Sequence, residues 1–428
     1  MTSPTQLSVV SERTSVPAIS TLMHMALATP GLISLAAGFV DQQSLPVALA
    51  AEEIAAILAD EREGRRALQY GTTIGDHQLR ERLMAFLEQD ERVPSGTYQH
   101  CVSRTVVTTG SQQLLYLISE ALLDPGDIVL VESPTYFVYL GVLETRGVRV
   151  VGVDIDEGGL RLDALESTLA GLDAKGLLNR VKLIYTISEH SNPSGISLAA
   201  DRRQPLVDLA KKWSKHQTIF ILEDSAYRGL TFDGVEPPSV WSYDPDGETV
   251  ILARTFSKTF SPGFKTGYGV LPATLLEPVL RLKGNHDFGS GNFAQIVLER
   301  AIGGGGYQRH VATLVERYRR KRDVMIASLV EWFGDGDGAV QWTYPQGGLY
   351  VWLSLPNEVD TGPDGPFFAR CLERGVLYVP GTYAYADATG SAPRNHARLC
   401  FGVPSEADLA EGARRLSLAL TDCLNPVA

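Results

Sequence analysis

The sequence predicts an α/β protein in which a large domain with a mostly parallel central sheet is joined to a smaller α+β domain. Between residues 66 and 290, short apolar segments alternate with segments of helical periodicity, which is typical of strand–helix units. Several of the short segments are apolar at consecutive positions, as in strands covered on both faces. After residue 290, two helical segments precede a group of short strands, which indicates a second architecture.

The predicted elements of the large domain follow in order along the chain. Its strands are expected at residues 105–109, 127–132, 147–155, 181–187, 218–224, 249–255 and 267–272, and its clearest helix at 111–123. Upstream, helices at 18–28 and 48–61 flank an extended segment at 32–39. In such a sheet, ligands bind beyond the carboxyl ends of the strands, so the residues that follow each strand are the first candidates for function.

The domain boundaries follow from these elements. We expect residues 1–60 to form an N-terminal segment that is part of the small domain, residues 61–290 to form the large ligand-binding domain, and residues 291–428 to form the C-terminal small domain. The elements predicted for that last part are helices at 293–301, 307–329 and 366–375 and strands at 347–355, 376–380 and 397–403.

Two features of the C-terminal part could be taken for binding motifs. The run Gly303–Gly306 follows a helix rather than a strand, so we interpret it as a loop that ends the helix and not as a phosphate-binding loop. In the basic helix after it, cationic residues from Arg317 to Arg322 alternate with apolar positions, and we interpret them as a solvated helix face.

Composition and charge exclude several classes of protein. The 428 residues carry a net charge of −12, whereas nucleic-acid binding needs a basic face. No apolar run is long enough to span a bilayer, and the first residues lack the regions of a signal peptide. The four cysteines are scattered without a CxxC pair, which fits a reducing compartment and favours neither a metal site nor a disulfide framework. We expect a cytoplasmic enzyme that binds neither nucleic acid nor membrane.

Lys258 is the most informative residue, because it lies in the run TFSKTFSPGFKTG directly after an apolar strand. That position suits a solvated charge poorly, whereas a desolvated amine with a lowered pKa can form a Schiff base with an aldehyde. The serine and threonine residues around it can bind a phosphate. An aldehyde and a phosphate on one ligand describe pyridoxal 5′-phosphate (PLP). The alternative is a surface lysine in a strand-to-loop turn.

Other strand ends carry further candidates. These are Gly110, Ser111 and Gln112, Tyr136, Asn192, and Asp224 with Tyr227. The first three open a helix, whose N-terminus can bind an anion, although serine is also a common helix cap. A tyrosine can lie flat on an aromatic ligand or simply pack in the core. An acid at the end of an apolar strand is costly to bury without a cationic partner.

Taken together, these motifs resemble the fold type I PLP-dependent enzymes, aminotransferase class I/II. The resemblance covers roughly Leu32 to Leu418. It rests on eight segments in the order of the family: LQYGTTIGDHQLRERL, TTGSQQLLYLI, ESPTYF, SNPSG, EDSAYRGL, TFSKTFSPGFKTGYG, PQGGLYVWLSLP and RNHARLCFG. The pieces ISLAAGF and LQYG make the chain most similar to the aminoadipate/kynurenine-type branch.

The resemblance implies a role for each of these residues around the cofactor ring. Lys258 would be the Schiff-base lysine and proton shuttle, Asp224 would pair with the pyridinium nitrogen, and Tyr136 would stack on the ring. The ring hydroxyl oxygen would be bound by Asn192 and Tyr227. These assignments make Lys258, Asp224 and Tyr136 the expected catalytic residues.

The resemblance also implies phosphate and substrate contacts. The phosphate would be held by Gly110, Ser111, Gln112, Thr255, Ser257 and Lys265. Tyr70 would reach the phosphate of the neighbouring subunit, so a homodimer is expected. Arg398 would bind the substrate α-carboxylate through a two-pronged salt bridge, beside Asn192, and Gly38 would leave room for it. The alternative for Arg398 is a surface arginine on a strand.

The chain departs from the family pattern at several positions. Lys265 stands where the family commonly has arginine. A lysine supplies positive charge but lacks the planar fork of an arginine. The segment KGNHDFGSGNFAQ is unusual, and its His286 and Asp287 could face a substrate or form a plain loop. His190, near Asn192, is a further acid–base candidate.

The resulting expectation is a PLP-dependent aminotransferase that transfers an amino group between an L-amino acid and a 2-oxo acid. The alternative is a PLP-dependent lyase, or a decarboxylating or oxidative enzyme of specialised metabolism, because one fold hosts many reactions. A PLP-sensing regulator is disfavoured, since only about 30 residues precede ISLAAGF, too few for a DNA-binding domain. No second arginine stands out as a reader of a distal carboxylate, so the sequence does not predict the substrate side chain.

Overall fold

The computed structural model describes residues 6–336, 338–386, 390 and 392–425. Its α-helices, in chain order, are α1 (Val9–Arg13), α2 (Ala18–Ala28), α3 (Val47–Ala59), α4 (Glu61–Leu68), α5 (His77–Glu91), α6 (Gly110–Leu122), α7 (Phe137–Arg146), α8 (Leu162–Ala174), α9 (Ala200–Trp213), α10 (Ala273–His286), α11 (Asn292–Gly303), α12 (Gly306–Phe333), α13 (Pro366–Glu373) and α14 (Glu406–Leu424).

The strands, in the same order, are β1 (Ile33–Ser34), β2 (Thr105–Thr108), β3 (Ile128–Ser133), β4 (Arg149–Asp156), β5 (Gly159–Leu160), β6 (Val181–Thr186), β7 (Phe220–Asp224), β8 (Val250–Thr255), β9 (Gly267–Val270), β10 (Gln341–Trp342), β11 (Tyr350–Ser354), β12 (Val376–Leu377), β13 (Val379–Pro380) and β14 (His396–Cys400).

The large sheet has the strand order β2-β9-β8-β7-β6-β3-β4-β5. The pairs from β8 through β7, β6 and β3 to β4 are parallel. Strand β9 runs antiparallel to both of its neighbours, β2 and β8, and β5 runs antiparallel to β4. The predicted α/β class with a mostly parallel central sheet is therefore confirmed, and each predicted strand of the large domain is present.

Helices cover both faces of this sheet. Successive residues of a strand point to opposite faces, and they belong to different apolar cores. Val129 and Leu222 belong to one apolar core, whereas their neighbours Leu130 and Ile221 belong to another. All four side chains are fully buried. This arrangement explains why the strands read as continuous apolar segments rather than as alternating ones.

The smaller sheet is antiparallel, with the order β10-β11-β14-β13. Strand β1 pairs in parallel with β12, so the N-terminal segment joins the C-terminal part of the chain. Helices α12 and α14 pack together, whereas α11 packs against α5 and α3. A domain boundary at residue 290 remains a prediction.

The basic helix α12 differs from the sequence expectation. Lys321 and Arg322 are almost fully buried. Lys321 Nζ lies 2.9 Å from Asp41 Oδ1, and Arg322 Nη1 lies 2.6 Å from Asp233 Oδ2. The prediction of a solvated face is wrong for these two residues, because each has a carboxylate partner that compensates its desolvation.

The glycine run before α12 behaves as predicted. Helix α11 ends at Gly303, and Gly305 adopts a positive φ of 72° immediately before α12 begins. Among the residues that the structure describes, no helix combines the length and apolarity needed to cross a membrane.

Candidate active site

A cavity of about 170 Å³ lies at the carboxyl ends of the central strands. Its lining residues are Thr109, Gly110, Ser111, Gln112, Tyr136, Ile187, Asn192, Asp224, Ala226, Tyr227, Thr255, Ser257, Lys258 and Lys265. Every residue that the sequence analysis named as cofactor-binding therefore lines this one cavity, with the exception of Tyr70. The topology of the sheet brings together residues that are far apart in the chain.

One end of the cavity is suited to an anion. Helix α6 begins there at Gly110, and the side chain of its N-cap residue, Thr109, makes no capping hydrogen bond. Thr255 Oγ1 donates a hydrogen bond to Ser257 Oγ over 3.0 Å, which places two hydroxyl groups beside the helix N-terminus. A Cβ at Gly267 would lie 2.7 Å from Gly110 C and 2.8 Å from Ser111 N. The missing side chain thus lets the helix start close to the lysine loop, and the combination of N–H groups and hydroxyls fits a phosphate.

Lys265 lies at the rim of this end. Its side chain is exposed, and its backbone adopts a φ of 46°, an uncommon conformation for a residue with a side chain. The cavity lining includes Lys265, so its ammonium group can approach an anion bound at the start of α6.

Asp224 ends β7 and carries the clearest unsatisfied group of the cavity. The carboxylate is buried, and Tyr185 Oη donates a hydrogen bond of 2.9 Å to its Oδ2. Its Oδ1 is buried without a hydrogen-bond partner. Burial raises the pKa of Asp224 to about 7. An N–H donor with positive charge, such as a protonated pyridine ring, would satisfy Oδ1 and offset the burial of the carboxylate.

Lys258 faces the same cavity from the loop between β8 and β9. Its Nζ donates a hydrogen bond of 2.6 Å to the carbonyl oxygen of Gly38. Burial lowers the pKa of Lys258 to about 8, and the positive charge of Arg398 acts in the same direction. A larger fraction of this amine is therefore uncharged near neutral pH than for an ordinary lysine, as a nucleophilic amine requires.

Arg398 is a buried cation on β14 and is not the surface arginine that the sequence left as an alternative. Only 2% of it is exposed. Its Nη1 donates to Asn192 Oδ1 over 2.9 Å and its Nη2 to the Ala36 carbonyl over 2.6 Å, while Nε is buried without a partner. Within the described residues no carboxylate pairs with it, so a ligand carboxylate fits this guanidinium.

Asn192 and Gly38 complete the surroundings of Arg398. Because the Asn192 carbonyl oxygen accepts from Arg398, its Nδ2 group remains as the donor of that side chain. A Cβ at Gly38 would lie 2.6 Å from Tyr350 Oη and 3.7 Å from Arg398 Nη2. The absence of a side chain at Gly38 therefore lets the Tyr350 hydroxyl lie close to this backbone, next to the guanidinium.

The two predicted tyrosines of the cavity occupy different environments. Tyr136 is half-buried directly before α7. Tyr227 is buried, and its hydroxyl donates a hydrogen bond of 3.1 Å to Tyr350 Oη. Both tyrosines line the cavity, which supplies an aromatic face and a hydroxyl group to a bound ring.

The sequence analysis missed three residues next to the site. Tyr185 and Tyr350 lie within apolar strands, where a tyrosine reads as a core residue. Glu132 follows an apolar run in β3, and this is the same signal that identified Asp224. The Glu132 carboxylate is buried and accepts hydrogen bonds from Thr186 Oγ1 and the Ile187 N–H. Burial raises its pKa to about 7.

Tyr70 is the one predicted cofactor residue that lies outside the cavity. Its side chain is 82% exposed and packs edge-on against Phe288 with ring centroids 5.7 Å apart. Within one chain, Tyr70 does not reach the site.

His190 is buried away from the cavity. Its Nε2 lies 2.7 Å from Thr231 Oγ1 and its Nδ1 lies 3.2 Å from Ser197 Oγ. A Cβ at Gly347 would lie 2.3 Å from its Nε2, so the ring packs tightly against that backbone. Burial lowers the pKa of His190 to about 4. These contacts favour a structural role over acid–base chemistry.

His286 and Asp287 contact the helix start instead of the cavity. Gln113 Nε2 donates a hydrogen bond of 2.6 Å to Asp287 Oδ2 and lies 3.2 Å from His286 Nδ1. Gln113 Oε1 in turn accepts from the Thr109 N–H over 2.8 Å. Asp287 also pairs with the buried Lys283 over 2.9 Å. The two residues thus brace the loop that carries the anion-binding end.

The fold and this cavity together define a PLP-dependent enzyme of fold type I. The family model described as aminotransferase class I and II matches residues 30–416, and the chain belongs to that family.

Three relatives illustrate the similarity. The aromatic-amino-acid aminotransferase 1 of Thermococcus litoralis is 32% identical over 391 residues, which cover 91% of this chain and 88% of the relative. The crystal structure of a multiple substrate aminotransferase from Thermococcus profundus superposes with a TM-score of 0.88 at 30% identity and covers 98% of both chains. The α-aminoadipate aminotransferase of Thermus thermophilus, solved with N-(5′-phosphopyridoxyl)-L-leucine, gives a TM-score of 0.83 at 28% identity and 98% coverage of both chains.

The protein is an enzyme, a PLP-dependent aminotransferase, and the predicted family, fold, cofactor and reaction class are confirmed. The relatives named above are all aminotransferases, so the comparisons support amino-group transfer between an amino acid and a 2-oxo acid and offer no support for the lyase alternative. Within the described residues, no group of histidine, cysteine and acidic side chains could hold a metal ion.

Proposed function

We propose that the cavity described above is the active site and that Lys258 and Asp224 are its central residues. When bound, PLP supplies an aldehyde that captures an amine and a ring that withdraws electrons from the substrate Cα. Lys258 anchors the cofactor and, once free, moves the proton to and from that Cα. Asp224 Oδ1 accepts the hydrogen bond of the ring nitrogen. The observation that carries the proposal is the unpartnered oxygen of this buried carboxylate, which shares one cavity with the lysine.

The remaining side chains of the cavity orient the ligands. In this proposal Tyr136 lies on the ring, while Asn192 and Tyr227 donate to its hydroxyl oxygen. The phosphate is bound by Gly110, Ser111, Gln112, Thr255, Ser257 and Lys265. Arg398 binds the substrate α-carboxylate beside Gly38. Orientation of this kind is the main contribution that the protein makes to the rate.

We propose an L-amino acid with a large apolar or aromatic side chain as the amino donor and a 2-oxo acid as the acceptor. A second cavity of about 1100 Å³ adjoins the first at Gln112, and its lining includes Ile19, Tyr116, Phe137, Val138, Tyr383 and Tyr385. The Phe137 ring lies 5.4 Å from Arg398 Cζ, so this apolar space begins next to the proposed carboxylate site. One relative of this chain is named for aromatic amino acids and another for both kynurenine and α-aminoadipate.

We further propose that the enzyme is a homodimer in the cytoplasm. The exposed Tyr70 and Phe288 rings form an apolar patch, which in a dimer brings Tyr70 to the phosphate of the partner's site. The cytoplasmic assignment is supported by four cysteines that are all unpaired, as in a reducing compartment.

Borohydride reduction of the PLP-loaded enzyme followed by peptide mapping tests the site directly. A covalent label on Lys258 is expected, and Lys258→Ala should lose both the label and turnover. Lys175→Ala, at an exposed lysine after α8, serves as the matched control and should keep both. A label on a different lysine, or turnover by Lys258→Ala, would contradict the proposal.

Absorption spectra during incubation with an amino-acid panel test the reaction and its substrate class. Half-transamination should shift the cofactor spectrum to the pyridoxamine form, with the largest effect for large apolar or aromatic side chains. Release of an oxo acid and a leaving group with return of the starting spectrum would instead indicate elimination.

A further inference from the structure

Tyr350 connects three residues that the proposed function places around cofactor and substrate. Its side chain is 1% exposed. Its hydroxyl accepts the hydrogen bond from Tyr227 over 3.1 Å, and the Arg398 guanidinium lies 4.5 Å from the centroid of its ring. A Cβ at Gly38 would lie only 2.6 Å from the same hydroxyl.

The strands explain how Tyr350 comes to this position. Tyr350 begins β11, which pairs antiparallel with β14, and Trp352 lies opposite Arg398. Residues two positions apart on a strand point to the same face, so Tyr350 is a diagonal neighbour of Arg398 on that face. The Tyr227 ring meets the Tyr350 ring edge-on, with centroids 5.6 Å apart.

The single proton of each tyrosine hydroxyl limits the hydrogen bonds that Tyr227 and Tyr350 can donate. Each tyrosine hydroxyl has one proton to donate and lone pairs that can accept. In the structure the Tyr227 hydroxyl donates its hydrogen bond to Tyr350. If Tyr227 donates to the ring oxygen of the cofactor instead, its own oxygen becomes free to accept, and the Tyr350 hydroxyl is the donor within reach. Hydrogen bonds in such a chain strengthen one another.

We propose that Tyr350 is a positioning residue that donates to Tyr227, strengthens the hydrogen bond from Tyr227 to the cofactor ring oxygen, and holds the Arg398 guanidinium over its ring. The inference rests on the proposed roles of Tyr227 and Arg398. In this proposal Tyr350 takes no part in proton transfer and does not contact the reacting atoms. The hydroxyl is the part that matters for Tyr227, and the ring is the part that matters for Arg398.

Tyr350→Phe separates these two parts, because it removes the hydroxyl and keeps the ring. The readout is the pH midpoint at which the absorption band of the bound cofactor changes in the substrate-free holoenzyme. A weaker donor at Tyr227 stabilises negative charge on the ring oxygen less, so the midpoint should rise by roughly 0.3–1 pH unit. The KM for the amino acid should change less than twofold, since charge–ring contact with Arg398 persists in Phe at about the same strength.

Tyr268→Phe is the matched control. Tyr268 is also a fully buried tyrosine, but its hydroxyl has no hydrogen-bond partner, so its removal should leave the midpoint unchanged. Thermal melting of both variants checks that they are folded.

Combination with Tyr227→Phe tests whether Tyr350 acts through Tyr227. Tyr227→Phe alone should shift the midpoint more than Tyr350→Phe, and the double variant should show no shift beyond that of Tyr227→Phe. An unshifted midpoint in Tyr350→Phe, or additive shifts in the double variant, would overturn the inference. A holoenzyme without a label on Lys258 would instead contradict the proposed function, so the two failures are distinguishable.

Discussion

Tyr185 donates a hydrogen bond of 2.9 Å to one oxygen of the Asp224 carboxylate, and the other oxygen has no hydrogen-bond partner among the residues that the structure describes. Asp224, which lines the cavity, is therefore oriented by one neighbour, while its second oxygen remains available to a ligand. An unsatisfied buried carboxylate oxygen is costly for the folded protein, and such local instability is common where a protein is shaped for a ligand rather than for its own stability.

The first prediction concerns the stability of the cofactor-free protein. Burial raises the pKa of Asp224 from 3.8 to about 7, so the folded state binds an extra proton and loses stability as the pH rises from 4 through 7. Cofactor-free Asp224→Asn should match the wild type near pH 4 and exceed its unfolding free energy at pH 8 by up to about 4 kcal/mol. Denaturant unfolding at both pH values measures this difference.

The same substitution should lower the activity of the PLP-loaded enzyme, because the neutral amide cannot stabilise a protonated cofactor ring. Asp124→Asn, which changes an exposed carboxylate, should leave the pH dependence of unfolding as in the wild type. Equal wild-type and Asp224→Asn stabilities at pH 8 would contradict the assignment of a strained carboxylate.

The second prediction concerns the reactivity of Lys258. Only the uncharged amine reacts with an acylating reagent, and burial lowers the pKa of Lys258 from 10.5 to about 8. In the cofactor-free protein, the labelling rate of Lys258 followed by mass spectrometry should therefore reach half its maximum near pH 8. The urea-denatured chain is the control and should require about 2.5 pH units more. Identical profiles in both states would refute a desolvated amine.

The third prediction concerns substrate binding by Arg398. Arg398→Ala should lower kcat/KM by about 30- to 1,000-fold, or roughly 2–4 kcal/mol, because the substrate carboxylate loses a buried charged partner. Arg398→Lys keeps the charge without the planar fork, so its kcat/KM should lie between those of the wild type and Arg398→Ala. Arg374→Ala, which breaks a surface pair with Asp422, is the control for steady-state kinetics and should have little effect. Wild-type kinetics in Arg398→Ala would rule out the carboxylate role.

The fourth prediction concerns the subunit that supplies Tyr70. Lys258→Ala and Tyr70→Ala each damage a different part of a shared site, so a mixed dimer contains one intact site. Randomly mixed subunits should regain about one quarter of the wild-type activity, since half of the dimers are hybrids with one good site of two. Activity measured before and after denaturation and joint refolding tests this.

Mixing Lys258→Ala with Asp224→Asn is the matched control for the hybrids. Both residues line the cavity of one chain, so every chain in that mixture has a defective site of its own and no activity should return. Restoration in this control, or none in the Tyr70 mixture, would speak against a shared site.

The fifth prediction concerns Lys265. Lys265→Arg should raise the affinity for PLP several-fold and Lys265→Gln should lower it about tenfold, because a guanidinium binds phosphate through two parallel hydrogen bonds and an amide carries no charge. Equilibrium titration of the cofactor-free protein measures both. Affinities unchanged by either substitution would place Lys265 outside the phosphate site.

The sequence predicted the strands and their functional ends because both depend on local patterns. Continuous apolar runs predicted the strands of the sheet. Lys258 and Asp224 were identified because a charged side chain at the end of such a strand is costly to bury without a partner. The positions of Tyr185 and Tyr350 could not be predicted in this way. The Tyr185 hydroxyl reaches Asp224 only when β6 pairs with β7, and the Tyr350 hydroxyl meets Tyr227, which lies 123 residues away along the chain, only in the folded protein.

The error on α12 has the same physical origin. The alternation of charged and apolar residues indicated a solvated face, but Lys321 pairs with Asp41 and Arg322 with Asp233. These carboxylates lie 280 and 89 residues away along the chain. A periodic pattern reports which face of a helix is polar, and it does not report whether a distant segment covers that face.

Lys258 lies in the loop that joins β8 to β9, and this hairpin contacts the start of helix α6. Thr255 and Gly267 face each other across β8 and β9, and a side chain at Gly267 would collide with the first residues of α6. Backbone contacts thereby set how close the loop that carries Lys258 lies to the start of α6. In the proposed site, where Lys258 binds the aldehyde and α6 binds the phosphate, we expect an aldehyde whose phosphate arm is one carbon shorter or longer to bind more weakly than PLP.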